Sequence, residues 1–203
     1  TATSQPNWRS NALAYTTDTN PADGITFDNW ITTDNKAKEI IPHDQGPAEE
    51  TAIPTTGFSI GNTAYIFYFE GQIVPQWTCR YSSVAKSTND ISWSKLNSLK
   101  WDPGNFNMVA AYKKDGYVYF FGTPCARAGS VKLMRVIDSK VENKTDYEYL
   151  TAVTGGNPTW TKNAESSAIT IIPSPVGEMS VRWNAYLGQY MMMYLHDNPP
   201  GQG

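Results

Sequence analysis

The sequence predicts an all-β fold of repeated antiparallel hairpins, with the sheets set as the blades of a propeller, and three observations predict it. Charged residues make up 17% of the 203 and aromatics 13%, with 15 glycines and 13 prolines, the balance of a turn-rich β protein. A Gly-containing turn followed at once by an aromatic-rich strand occurs three times. The glycines of those turns, Gly61, Gly116 and Gly188, stand 55 and then 72 residues apart, the spacing of one supersecondary unit repeated with loop insertions.

Each hairpin reads directly from the residues. Thr56 to Ile60 and Asn62 to Tyr68 flank Gly61, Asn107 to Tyr112 and Tyr117 to Phe121 flank Gly116, and Met179 to Asn184 and Gln189 to Tyr194 flank Gly188. Gly, Asn and Asp accept the positive φ of a tight reversal, and the β-branched and aromatic runs on either side favour a pleated surface. Two further turns, Thr16-Thr17-Asp18 with Asp23-Gly24-Ile25-Thr26-Phe27, and Ser87-Thr88-Asn89-Asp90-Ile91-Ser92-Trp93, resemble the Asp-box of carbohydrate-active propellers. In that turn a Ser or Thr and an Asp brace a hairpin and a closing aromatic packs between strands. Additional strands are expected at Ser130 to Val136, Tyr147 to Leu150 and Ala168 to Ile172. The stretch Asp34 to Ile53 has no clean period and reads as a loop with one helical turn, and Asn198 to Gly203 reads as an interrupted loop.

Length and charge then bound the function. A chain of 203 residues suits one domain, taken here as residues 1–203. A net charge of −3 supplies no basic footprint for phosphates, which excludes nucleic acid as the main partner. No stretch approaches the roughly 18 to 20 apolar residues of a membrane-spanning helix, so the chain reads as soluble and not transmembrane. Cys79 and Cys125 lack the paired spacing of a zinc site, and they are either a disulfide or two buried thiols. His43 and His196 are the only histidines. Nucleotide-binding Gly loops, a nucleophilic Ser elbow and a calcium loop are all missing, so neither cofactor nor metal is expected. The start at Thr1, without a basic and apolar leader, reads as a processed or truncated product.

Several blocks carry a family resemblance. They are Trp8-Arg9-Ser10-Asn11 with Thr16-Thr17-Asp18, Thr51-Ala52-Ile53-Pro54-Thr55, Asp115 to Pro124 with Arg127, and Val176-Gly177-Glu178-Met179-Ser180-Val181-Arg182-Trp183-Asn184 with the Leu187-Gly188 turn. In this order they resemble the actinobacterial endo-D-arabinanases, formerly catalogued as a domain of unknown function. The resemblance implies a five-bladed propeller, with about three to four blades in this chain, that cleaves arabinofuranosyl linkages in cell-wall arabinan outside the cell. It also implies an active-site Asp in a Gly-Asp-Thr segment upstream of Trp8, which this sequence does not contain. The rest of the propeller or a neighbouring chain is then expected to complete the ring.

Glycoside hydrolysis needs two carboxyl groups. Asp18 matches the family's second active-site acid and is the catalytic candidate, although Asp in such a turn also serves by holding backbone amides. Glu178 and Arg182, four apart on a strand, share a face and suit sugar hydroxyls or the tuning of a carboxyl. Arg127, carried over from the family motif, brings a planar fork to hydroxyls or to a carboxylate. Trp77 and Trp183 are the aromatics expected to stack on sugar rings, and His43 can orient an acid. Glu49 and Glu50 are adjacent, face opposite ways on an extended backbone, and so cannot form the catalytic pair. Two other classes stay open: a non-catalytic propeller that binds envelope glycan, and a structural part of a surface assembly.

Overall fold

The computed structural model describes residues 9–44, 50–73 and 76–196; Trp8, Glu49 and the Asn198 to Gly203 tail lie outside them. Two short hairpins come first, β1 (Ala14–Tyr15) with β2 (Asn29–Trp30), and β3 (Thr32–Thr33) with β4 (Lys36–Ala37). The second hairpin corrects the loop with a helical turn expected over Asp34 to Ile53. Asp34 and Asn35 take φ of 52° and 58°, the positive pair that closes a two-residue reversal, and a long strand already begins at Glu50.

A four-stranded antiparallel sheet follows in the order β5 (Glu50–Ile60), β6 (Thr63–Gln72), β7 (Thr78–Ser87) and β8 (Ser94–Trp101). Next come β9 (Met108–Lys114), β10 (Tyr117–Thr123), β11 (Gly129–Ile137), β12 (Glu148–Thr154) and β13 (Asn157–Lys162), adjacent in that order, with β14 (Ile172–Val176) joined to β11. The strand expected over Ala168 to Ile172 therefore starts later. A single 3-10 turn, Glu165–Ser167, precedes it, and the Ile169 and Ile171 amides bond singly to Leu150 and Val131 rather than in a ladder. The last pair is β15 (Met179–Asn184) with β16 (Gln189–Tyr194). Gly61, Gly116 and Gly188, all at positive φ, turn hairpins in three different sheets, as their spacing predicted.

The β5–β8 sheet is buried on both faces, which explains why Tyr65 to Phe69 is an unbroken apolar run instead of an alternating one. On one face Tyr65, Phe67, Val84, Leu99 and Trp101 meet Val118, Phe120, Met134 and Tyr149 of the next sheet and Phe106 and Tyr147 of its connecting segments. On the other, Tyr68, Tyr81, Ala52 and Ala85 meet Ile31, between the first two hairpins, and Ile40 and Ile41, just after β4, and Trp93 packs against that layer as its Asp-box-like turn suggests. Phe27, the matching aromatic of the first such turn, is instead 49% exposed and rests on Trp30. Aromatic layers between successive sheets give a β-propeller-like all-β fold. Among the described residues no helix is long and apolar enough to cross a membrane.

The first strands of three sheets, β5, β9 and β15, lie side by side, β9 touching both others. Among the described residues β5 pairs only with β6, so its inner edge is free of ladder bonds there and tolerates Pro54, which has no N–H to donate. One residue later the register shifts, and the Thr55 hydroxyl turns back onto the Phe67 carbonyl at 3.2 Å. Such a bulge bends the strand and re-aims its side chains. Here it opens the floor of a cleft.

Candidate functional site: an axial cleft

A cleft of about 500 Å3 opens where the three inner strands converge. Its floor is Ile53, Pro54 and Thr55 of β5, Met108 and Val109 of β9, and Met179 of β15; Phe69 and Trp77 form one wall, and Cys125, Ala126, Arg127 and Glu178 the other. The predicted residues Trp77, Arg127 and Glu178 are thus brought together. Phe69, Thr55, Met108 and Met179 were not anticipated, because each looks like an ordinary strand residue until the sheets are arranged around one axis.

The polar wall is an ion pair between two sheets. Arg127 Nε donates to both Glu178 oxygens at 3.0 Å, and a second guanidinium nitrogen donates to Oε1 at 2.9 Å. Glu178 sits just before β15 and Arg127 in the loop after β10. Gly177 permits the approach, since a Cβ there would stand 3.0 Å from the Arg127 stem. The guanidinium holds the Glu178 carboxyl below its ordinary value of 4.5, with burial opposing and its own backbone amide assisting. The lowered value means that the pair's stabilisation is fully present above pH 4.5 and is lost as pH falls through the folded value. Both side chains are more than half exposed, so that stabilisation is at most about 1 kcal/mol. A side-chain carboxyl NMR titration is expected to give Glu178 a midpoint under 4.5, and Arg127→Gln to restore an ordinary one.

The aromatic wall depends on a glycine. The Trp77 indole lies across Gly71 so closely that an added Cβ would meet it at 2.8 Å, and its ring stands edge-on to Phe69 at 6.2 Å. Trp77 remains 45% exposed, an aromatic face open to a ligand. Gly71→Ala pushes the indole out of this seat, and saccharide affinity measured by calorimetry is expected to fall about two- to tenfold, the worth of one aromatic contact.

The other predicted residues lie outside this lining. Asp18 braces its turn: one carboxylate oxygen accepts the Asn20 amide at 2.9 Å and the other the Thr26 amide at 3.0 Å. Those amides, Thr26 foremost, lower its pKa. His43 sits by Glu39 and the Ser10 hydroxyl in the first part of the chain. Arg182, expected beside Glu178, donates to the Val181 carbonyl at 2.9 Å, and Trp183 packs on Tyr190 at 4.8 Å. Glu50 pairs with Arg80.

A second charged cluster was not foreseen. Fully buried Glu70 accepts from Lys95 at 2.7 Å, Lys95 also reaches Asp44 at 3.0 Å, and the Tyr81 hydroxyl donates to Asp44 at 2.6 Å. Burial raises the Glu70 pKa against the pull of Lys95. The cluster ties β6 and β8 to the segment after β4, with Glu70 fully buried and the Asp44 side chain 41% exposed. Among the described residues no group of three or more His, Cys, Asp and Glu is placed to hold a metal ion.

The blocks that frame this cleft fall within a longer match. The family profile described as Domain of unknown function (DUF4185) covers residues 1–200. The chain belongs to that family. No curated protein matches this DUF4185 chain. Among solved structures it is similar to a provisionally described hydrolase from Bacteroides ovatus, with a TM-score of 0.51 and 14% identity, over 85% of this chain and 47% of that one. The DUF4185 chain thus spans about half the length of that relative, and at this identity the likeness is one of fold.

Proposed function

We propose that this chain is the saccharide-handling part of a glycoside hydrolase of the endo-D-arabinanase type, acting outside the cell on arabinofuranosyl linkages of actinobacterial cell-wall arabinan. The observation that carries the reading is the axial cleft, which a half-exposed indole and a carboxylate paired with arginine line together. Apolar sugar faces pack on aromatics, while hydroxyls seek groups that donate and accept, and the two walls supply these separately. The hydrolase description of the Bacteroides ovatus relative supports the coarse class. A disulfide between Cys79 and Cys125 fits an oxidising, extracellular setting.

Protonation states divide the roles. Glu178, kept ionised by Arg127, suits hydroxyl recognition or stabilisation of positive charge developing at the sugar, and not proton donation. Asp18, the catalytic acid by family resemblance, is also held ionised, so the role open to it is base or nucleophile. The proton donor is then a third group.

One observation favours a non-catalytic, glycan-binding reading: among the described lining residues Glu178 is the only acid, and it is already paired. Incubation with purified arabinogalactan separates the two. Release of short oligosaccharides, reduced about tenfold by Glu178→Gln through loss of a charged hydrogen bond, is the expected result. Binding without release makes the chain a glycan-binding module, and neither binding nor release overturns the saccharide reading.

A further inference from the structure

We propose that the Cys79–Cys125 disulfide is a positioning element of the axial cleft, and that the opposed Trp77 and Arg127 walls form only in the oxidised chain. The inference rests on the reading above that the cleft takes a saccharide. It concerns residues that this reading leaves without a role.

The bond is placed unlike a generic staple. It joins residues 46 apart in sequence and links two different sheets, Cys79 at the start of β7 and Cys125 in the loop after β10. Each cysteine is two residues from a side chain that the reading uses, Trp77 before Cys79 and Arg127 after Cys125, and Cys125 itself lines the cleft. Neither Trp77 nor Arg127 belongs to a strand, so no ladder fixes either one. Cys79 does belong to a ladder and pairs with Gly71, the residue over which the Trp77 indole lies. The disulfide therefore anchors the Arg127 loop to the same pair of strands that seats the indole.

The loop itself is built to hold one shape once anchored. Ala126, between Cys125 and Arg127, takes φ of 61°, a conformation that a residue with a Cβ adopts at some cost and keeps only where its surroundings impose it. Gly129 lies so close under Pro124 that a Cβ would stand 2.3 Å from the ring. Beside the disulfide, the Arg127–Glu178 pair joins the loop to the segment before β15, and an ion pair that exposed is a weak tether. A free loop relaxes the strained alanine, moves Arg127 off Glu178 and uncovers the Trp77 side of the cleft.

A purely structural disulfide would lower stability and leave Trp77 where it is. The chain has seven tryptophans, so 5-fluorotryptophan labelling gives seven 19F NMR lines, with Trp77 assigned by Trp77→Phe. The Cys79→Ser/Cys125→Ser variant is recorded well below its thermal midpoint, and so is wild-type chain mildly reduced under native conditions, in case the variant folds poorly. The Trp77 line is expected to shift and broaden in both while the other six hold. Seven unchanged lines in a folded, reduced chain overturn the proposal. On arabinan oligosaccharides, the oxidised-to-reduced change is expected to raise KM about tenfold with kcat within about twofold, and to have a smaller effect, about threefold, in a Trp77→Ala background, where only the Arg127 wall is left to lose; that difference is the signature of coupling. An equal KM effect with and without Trp77 overturns the positioning role. A moving Trp77 line in a chain that binds no saccharide upholds the positioning and sinks the glycan reading instead.

Discussion

Asp18→Asn is expected to lower arabinan cleavage by about 10²- to 10⁴-fold, the range over which a positioned acid or base contributes. The structure makes the interpretation of that experiment specific. Both Asp18 oxygens accept backbone amides, from Asn20 and Thr26, whereas asparagine offers one oxygen and must turn an N–H toward one of those donors. The variant thus loosens a turn as well as removing a charge. Thr16→Val is the matched control, because the Thr16 hydroxyl accepts the Asp18 amide and donates to the Thr26 carbonyl without being a candidate for chemistry. Steady-state rates and thermal midpoints for both variants decide the point. A loss of under about tenfold in Thr16→Val beside the large loss in Asp18→Asn places the carboxylate in the reaction. Equal losses leave it a turn brace.

Phe120→Ala is expected to destabilise the chain by about 3–5 kcal/mol in urea unfolding, the cost of emptying a fully buried aromatic site. Phe120 is fully buried and touches Phe58, Phe67 and Tyr147, with ring centroids at 5.5, 5.8 and 5.8 Å. It sits where the β5–β8 sheet meets the β9–β13 sheet. Its neighbour Phe121 points to the opposite face, is only partly buried, and is expected to cost about 1–2 kcal/mol on the same change. The comparison tests the register of β10 as well as the packing, since a one-residue slip would exchange the two values. On the proposed saccharide reading the layer also matters to binding: it spaces the β5–β8 sheet, beside which Trp77 lies, from the β9–β13 sheet, whose β10–β11 loop carries Arg127, so partial collapse around the vacancy is expected to weaken saccharide binding before the chain unfolds.

The hairpins at Gly61, Gly116 and Gly188 were legible in the sequence because their cause is local: a positive-φ residue between two runs that favour extended backbone. The same local chemistry was present at Asp34-Asn35 and was missed. Strands of two residues are too short to show a period, so only the turn pair signals that hairpin. The Asp-box-like turns were half legible. The bracing at Thr16 and Asp18 follows from short-range hydrogen bonds, but in the second turn Asn89 accepts the Ile91 and Ser92 amides, while Asp90 takes positive φ.

By itself the sequence determined the all-β class, the hairpin turns, the net charge of −3, and the set of chemically capable residues from which any site has to be drawn. The tertiary structure decided which of those residues meet. Strand periodicity paired Glu178 with Arg182 on one face, yet Glu178 precedes its strand and takes Arg127 from another sheet, 51 residues away. Cys79 and Cys125 stood open between a disulfide and two thiols until β7 and the loop after β10 were set side by side. The division has one physical reason. Turns and strands arise from interactions within a few residues, and these leave a mark in composition and spacing. A cleft lined by β5, β9 and β15 exists only after aromatic layers have packed three sheets around a common axis, and nothing within any single strand encodes which neighbour that packing will bring.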